Sequence, residues 1–283
     1  MKSTTPINIV KYNNDVVPFD VNKLMNSLRH TNANENIIQD IARKIEDQIE
    51  EGMTTKKIYQ MAFKMLKGKS SVSASKYKLK KALMELGPSG FPFERFVGKI
   101  LAHEGYETEV GVIEQGNCVQ HEIDVIAQKD NQHHMIECKY HSSQGRFCNV
   151  KTPLYIHSRF LDVEISWKKL NGHENKIHKG GLYTNTRFTT DALQYGNCVG
   201  LLMTSWDYPN NNGLKDRVDR LGLHPLTALT NLTKAEKTKL LDKGIVLCRE
   251  LHATPSLLTE IGIHQKRHKK ILNDSKELCK SED

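Results

Sequence analysis

The sequence predicts a multidomain α/β protein: a hairpin with a helical bundle, then a mixed sheet between helices, then a helical C-terminal region. Three observations lead there. Short strand-like runs near the N-terminus give way to apolar residues at helical spacing, until Gly87-Pro88-Ser89-Gly90 breaks the chain. Two apolar-rich runs, Glu122–Lys129 and His133–Lys139, flank the turn-prone Asp130-Asn131-Gln132, a hairpin signal. From about Leu221 onward the pattern is helical. The expected divisions are residues 1–88, 89–220 and 221–283.

At 283 residues the chain can build two or three cores. Its 41 Lys and Arg against 33 Asp and Glu leave a charge of +8, which favours an anionic partner such as nucleic acid or nucleotide. The six cysteines form no CxxC pair, so they carry no zinc signal and suit a reducing compartment. No apolar run approaches the length of a membrane span, and the N-terminus has no signal-peptide core. A soluble cytoplasmic protein without a membrane partner is expected.

Ile7–Lys11 and Val16–Phe19 read as two short strands joined by Asn13-Asn14-Asp15, asparagine being tolerant of left-handed backbone. Asp20 is the expected cap of a helix with Leu24 and Leu28 inside. Ile37, Ile38, Ile41, Ile45 and Ile49 predict a second helix, ended by Gly52. Thr54 or Thr55 can cap a third, with Ile58, Met61, Phe63 and Met65. Ser73 or Ser75 can cap a fourth, carrying Tyr77, Leu79, Leu83 and Leu86.

Val10-Lys11, Pro18-Phe19-Asp20, Lys23-Leu24 and Gly52-Met53-Thr54-Thr55-Lys56-Lys57-Ile58-Tyr59 together resemble an ATP-cone, the nucleotide-sensing module of ribonucleotide reductases and of their bacterial repressor. The resemblance covers roughly residues 5–86. It implies that ATP or dATP binds as an effector, with Lys11 and Lys23 on the phosphates and Val10 and Thr55 also at the nucleotide. Lysines from a hairpin and a helix start can meet a triphosphate as point charges. The chain departs from the family where Tyr12-Asn13-Asn14 replaces a basic residue followed by Asp-Gly; Tyr12 brings no charge there. A G-x-x-x-x-G-K-[ST] loop is absent, so no motif for ATP hydrolysis is present.

The central region has charge where a buried strand should not. Asp124 lies inside the first run of the hairpin, and Glu137 and Lys139, two residues apart, share a strand face. Burying such groups is unfavourable unless they pair or hold a metal. Two acids and a lysine on one sheet face can bind magnesium and activate a water for phosphodiester cleavage. The alternative from the residues alone is an exposed Glu137–Lys139 ion pair on a half-buried strand. Adjacent His133 and His134 point to opposite faces, cannot readily share one ion, and read as a solvated strand start. Phe93, Phe96, Val97, Ile100 and Leu101 form one helical stripe, with Glu94 off it and Gly105 at the helix end. Ile156, Phe160 and Val163 predict a later helix among scattered basic residues including Lys151 and Arg159. Thr189 or Thr190 is a helix cap, and Cys198–Thr204 reads as a buried strand completing the sheet.

The order helix, strand, strand, strand with Asp124 and then Glu137-Cys138-Lys139 resembles the PD-(D/E)XK nuclease fold, an α/β/α mixed sheet. More narrowly, Gly90-Phe91-Pro92-Phe93-Glu94, Gly105-Tyr106, and Gly181–Asn185 with Phe188–Ala192 resemble Mrr-type restriction endonucleases over about residues 88–206. That resemblance implies a magnesium- or manganese-dependent DNA endonuclease acting in defence. Asp124 and Glu137 would hold the metal, with the Cys138 carbonyl as a further oxygen. Lys139 would orient the attacking water, and Glu94 would support as a further acid. His121 is a secondary candidate.

Leu240–Ile245 and Leu257–Ile263 each read as a helix ending in a glycine turn. The second runs into Gln265-Lys266-Arg267-His268-Lys269-Lys270, and this segment resembles a helix-hairpin-helix module. It implies that Lys266, Arg267, Lys269 and Lys270 contact double-stranded DNA. The resulting expectation is a nucleotide-tuned endonuclease, acting as a homo-oligomer by analogy with other cones. The competing expectation is a regulator that binds DNA and nucleotide but does not cut; the Asp124, Glu137 and Lys139 set argues against it.

Overall fold

The computed structural model describes residues 7–143 and 145–280. β1 (Asn8–Val10) and β2 (Val16–Pro18) form the N-terminal hairpin, turned by Asn14 at φ +65°. Asp20 caps α1 (Val21–Arg29), accepting from the N–H groups of Asn22 and Lys23. α2 (Glu35–Glu46) ends before Ile49, which packs from the following loop rather than from the helix. β3 (Met53–Thr54) then pairs parallel to β1; two residues are too few to show a period in sequence. Thr54 caps α3 (Thr55–Lys69) through a bond from the Lys57 N–H.

The expected fourth helix is two, α4 (Ser71–Tyr77) and α5 (Leu79–Met84), divided at Lys78. Its cap is Ser70, which accepts from the Ser73 N–H; Ser73 and Ser75 lie buried inside the helix instead. The break separates two cores. Leu28, Ile38, Ile41, Ile45, Ile58 and Leu66 fill the first, which reaches Ala74. Leu79, Leu83 and Leu86 instead pack with Phe93, Phe96 and Val97 of α6 (Phe91–His103). The packing thus changes near Lys78, ahead of the Gly87–Gly90 break.

Beyond α6 come β4 (Glu107–Gln115), β5 (Gln120–Lys129), β6 (Gln132–Lys139), β7 (Phe147–Cys148), α7 (Lys151–Trp167), β8 (Ile177–Thr184), β9 (Arg187–Phe188), α8 (Thr190–Cys198) and β10 (Leu202–Thr204). Five strands make one sheet in the order β10-β8-β6-β5-β4. The β4–β5 and β5–β6 pairs are antiparallel, and β6–β8 and β8–β10 are parallel. β7 and β9 pair separately. One sheet face packs Val125, Ala127 and Ile136 under α6. The other packs Ile126, Met135 and Leu182 under α7, through Ile156, Phe160, Val163 and Trp167. The last strand is shorter than expected: Cys198 closes α8, and Gly200 at φ +76° turns the chain into β10.

The C-terminal helices are α9 (Leu214–Leu221), α10 (Lys234–Asp242), α11 (Glu250–Ala253), α12 (Leu257–Glu260) and α13 (Gln265–Leu278), with one 3-10 turn at Leu226–Ala228. Leu214, Val218, Leu240, Leu258 and Ile271 share the α6 core, so this region packs continuously with the central sheet. No helix among the described residues is long and apolar enough to cross a membrane.

Candidate active site

Asp124 marks the point where β5 parts from β6 and its pairing with β4 is interrupted, to resume at Val112 and Ile123. The β5–β6 ladder runs from Lys129 and Gln132 to Val125 and Ile136 and goes no further, and β4–β5 pairing lapses at Gly111 and Asp124. Gly111 stands at φ +68°, a left-handed backbone that glycine adopts without strain. Beyond the ladder the Cys138 N–H donates to Asp124 Oδ2 at 2.7 Å. A side chain replaces the usual backbone acceptor, and this pins the Asp124 carboxylate beside the Glu137–Lys139 strand end.

Glu137 is half-buried and meets α7. Arg159 Nη1 donates to Glu137 Oε2 at 2.6 Å, and Arg159 Nη2 donates to the Glu122 carbonyl. The guanidinium lies 5.4 Å from the Tyr155 ring centre. Glu137 therefore pairs across layers with Arg159 and not along its own strand with Lys139. Lys139 is exposed and makes no hydrogen bond or ion pair among the described residues.

The acids feel one another. Burial, followed by repulsion from Glu137, pushes the Asp124 carboxyl up to about 7; Glu94 adds to the rise, while the Cys138 N–H and Arg159 oppose it. Burial raises Glu94 too, with Glu122 and Glu137 contributing. Glu94, Asp124 and Glu137 are thus electrostatically coupled, with Glu122 acting on Glu94 and Arg159 on Asp124. The Cys138 thiol is fully buried and driven well above its ordinary range by that burial and by the carboxylates, so it stays a neutral packing group. Its contribution to a metal would be the carbonyl oxygen. The oxygen-only donor set suits a hard cation such as magnesium, and a carboxyl raised by burial and by neighbouring acids is one that a cation would ionise.

The chain after Lys139 is held firmly. The Tyr140 hydroxyl donates to the Met84 carbonyl at 2.5 Å. Asn185 accepts from the His141 N–H at 2.9 Å and donates to the His141 carbonyl at 2.8 Å. This explains why the Gly181–Asn185 stretch accompanies the acidic pair. His121 is spent elsewhere: its Nε2 lies 2.8 Å from Asp162 Oδ2, and Asp162 also accepts from the Cys118 and Val119 N–H groups. Those bonds, His121 foremost, hold Asp162 down to about 2. His121 clamps the β4–β5 turn to α7.

Sequence reasoning put Arg159 among scattered basic residues and gave Glu122 no role. The usable signal was spacing: Arg159 sits between the buried Ile156 and Phe160, at the margin of the helix face that meets the sheet. His133 and His134 also differ from expectation. Both are buried, on opposite sheet faces, His133 against Trp167 and His134 against Tyr106.

In the N-terminal unit, Lys11, Lys23 and Thr55 line one cavity of about 250 Å³ floored by Leu24, Ile58, Tyr59 and Tyr77. Val10 does not line it, since its neighbours Ile9 and Lys11 take the inward positions. A second cavity of about 360 Å³ shares Lys11 and Thr55 and adds Lys80, Arg146 and Arg187 from beyond the first core. Tyr12 reaches across here, its ring against Gly145 in the loop after β6.

At the C-terminus, Gly244 and Gly262 both adopt positive φ after α10 and α12, as the paired glycine turns required. The Gly262 and Ile263 N–H groups bond to Thr259 and Leu258 carbonyls and so are already satisfied within the chain. Lys266, Lys269 and Lys270 are exposed. Arg267 is not free: it pairs with Glu236 and donates to the Asn231 carbonyl at 2.7 Å.

Residues 87–152 match the family model for a restriction endonuclease catalytic domain, Mrr_cat, and residues 224–279 match the AF1548-like C-terminal model. The acidic cluster therefore sits in a restriction-endonuclease-like domain of the Mrr type. An uncharacterized protein of Archaeoglobus fulgidus is 34% identical over 183 residues, covering 64% of this chain and 99% of that protein. A solved structure, titled the crystal structure of the protein of unknown function AF1548, is 33% identical with a TM-score of 0.55, covering 68% of this chain and 98% of that chain. The chain belongs to the AF1548-like family.

Proposed function

We propose that this protein is a magnesium-dependent DNA endonuclease whose cutting is set by ATP or dATP at its N-terminal unit. The observation that carries this reading is the convergence of Asp124, Glu137 and Glu94 at the point where β5 and β6 part, with an unpaired Lys139 beside them. Asp124 and Glu137 would hold magnesium or manganese through carboxylate oxygens, with the Cys138 carbonyl as a neutral donor. The ion would supply Lewis-acid activation of the scissile phosphate and of the attacking water. Lys139 orients that water and holds the negative charge growing on the phosphate. Arg159 keeps Glu137 Oε2 in place and leaves Oε1 for the cation.

Lys266, Lys269 and Lys270 on the helix-hairpin-helix-like tail hold the backbone of double-stranded DNA, and the role is defence against foreign DNA. The ATP-cone-like unit takes the nucleotide phosphates on Lys11 and Lys23, with Thr55 beside them, and acts through assembly of a homo-oligomer. Tyr12 against Gly145 supports a direct route from that unit to the loop following the catalytic strand. Incubation of supercoiled plasmid with magnesium tests the catalytic part: nicking is expected from the wild type and not from Asp124→Ala or Glu137→Ala. Melting with ATP and dATP tests the sensor, where a rise in Tm that Lys11→Ala abolishes is expected. If all proteins are inert on every DNA form while nucleotide and DNA still bind, the chain is a regulator that does not cut.

A further inference from the structure

At the far end of β6 from the carboxylates stands a second group of potential ligands. His133 and His178 face each other across the β6–β8 pairing, and His173 comes from the loop after α7. Each can bring one ring nitrogen within 4.8 Å of the other two. His133 Nδ1 and His178 Nδ1 are 3.3 Å apart. Two nitrogens bound tetrahedrally to zinc at its usual bond length lie roughly 3.3 Å apart as well. His133 and His178 are 7% and 8% exposed. His173 Nδ1 is buried without a hydrogen-bond partner, an unfavourable state for an imidazole that only packs.

We propose that His133, His173 and His178 bind one zinc ion, with the fourth position left to water, at a site separate from the carboxylate cluster. The two sites share a sheet face and a helix. Glu137 lies four residues along β6 from His133, roughly 13 Å. α7 spans both, Trp167 packing on His133 and Arg159 bonding Glu137. A zinc ion at the base of α7 would fasten the helix that carries Arg159. The neighbouring charges make the site selective. Lys176 Nζ lies 3.1 Å from His173 Nε2 and 3.0 Å from Gln128 Oε1, and Lys168 and Glu164 also face His178. A bound cation displaces the Lys176 ammonium toward Gln128, so Lys176 weakens binding.

The test uses full-length protein stripped with EDTA and titrated with zinc or cobalt(II), read by metal content per chain, Tm and the visible spectrum of the cobalt form. One equivalent bound, a higher Tm and a tetrahedral cobalt spectrum are expected. His173→Ala, the least buried ligand, should weaken zinc by more than the roughly 10–100-fold that loss of an outer partner brings. Lys176→Gln should tighten it by about tenfold, as removal of an adjacent like charge does. Glu137→Ala should leave zinc affinity unchanged. A folded wild type that takes up no zinc overturns the proposal and leaves a His133–His178 hydrogen bond with His173 packed beside it. Zinc kept by His173→Ala but lost by Glu137→Ala assigns the metal to the carboxylates and overturns it equally.

Discussion

Among the single residues, Asp124 carries the clearest consequence. Its carboxyl is raised from the ordinary 3.8 to about 7 by burial and by Glu137. A raised folded-state pKa means that Asp124 contributes stability fully below about 3.8, and that this is lost as pH climbs through about 7. In EDTA, urea unfolding at pH 5 and pH 8 should show a wild-type loss that Asp124→Asn lacks, on the order of 2–3 kcal/mol. Equal pH dependence of the two proteins contradicts the described environment. Arg159 is the complementary case. Arg159→Ala leaves Glu137 half-buried without its counter-charge, a loss on the order of 3 kcal/mol, part of which magnesium should restore. The same loss with and without magnesium would separate Glu137 from the cation site. Asp124, Glu137 and Lys139 were legible in the sequence because charge interrupts apolar strands. Arg159 was not, because helix-to-sheet contact is a tertiary fact and a lone arginine on an amphipathic helix is usually solvated.

For the elements, the hairpin and α6 were readable from their periods, and the glycine turns of the C-terminal helices from their repeated form. β3 was missed because two residues show no alternation, and the α4–α5 break because Lys78 resembles any helix lysine. Its side chain is in fact buried, donating to the Thr227 carbonyl at 3.2 Å and pairing with Glu85 at 2.5 Å. The lapse of β4–β5 pairing opposite Asp124 falls at Gly111. Gly111→Ala has room for its methyl group, the nearest atom being Phe91 Cε2 at 3.6 Å, but must hold φ +68°. It should destabilise by about 1–2 kcal/mol and lower cleavage more than DNA binding. Chemical denaturation and a cleavage-against-affinity comparison check this; unchanged cleavage would show that the Asp124 geometry does not depend on the kink.

Over the whole molecule, the composition favoured an anionic partner, and the central domain was recognisable as an ordered set of short motifs. The contact between units was not readable. Tyr12, which departs from the charged residue of the cone pattern, is 64% exposed yet lays its ring on Gly145, six residues after Lys139. Tyr12→Ala should therefore leave nucleotide affinity within about twofold but remove the effect of nucleotide on cleavage, a coupling of about 1–3 kcal/mol. Titration calorimetry beside plasmid kinetics distinguishes this from lost binding; full nucleotide control in Tyr12→Ala would place the route elsewhere.

In the proposed function, the carboxylates beside Cys138 hold the metal that cuts DNA. The most direct test of that function is plasmid cleavage in magnesium by wild type, Glu137→Ala and Lys139→Ala, on methylated and unmethylated DNA, with and without ATP or dATP. The wild type should nick the plasmid, either substitution should abolish nicking, and EDTA should stop it. Cleavage that survives in Glu137→Ala, or a wild type inert under every condition while still binding DNA, contradicts that function.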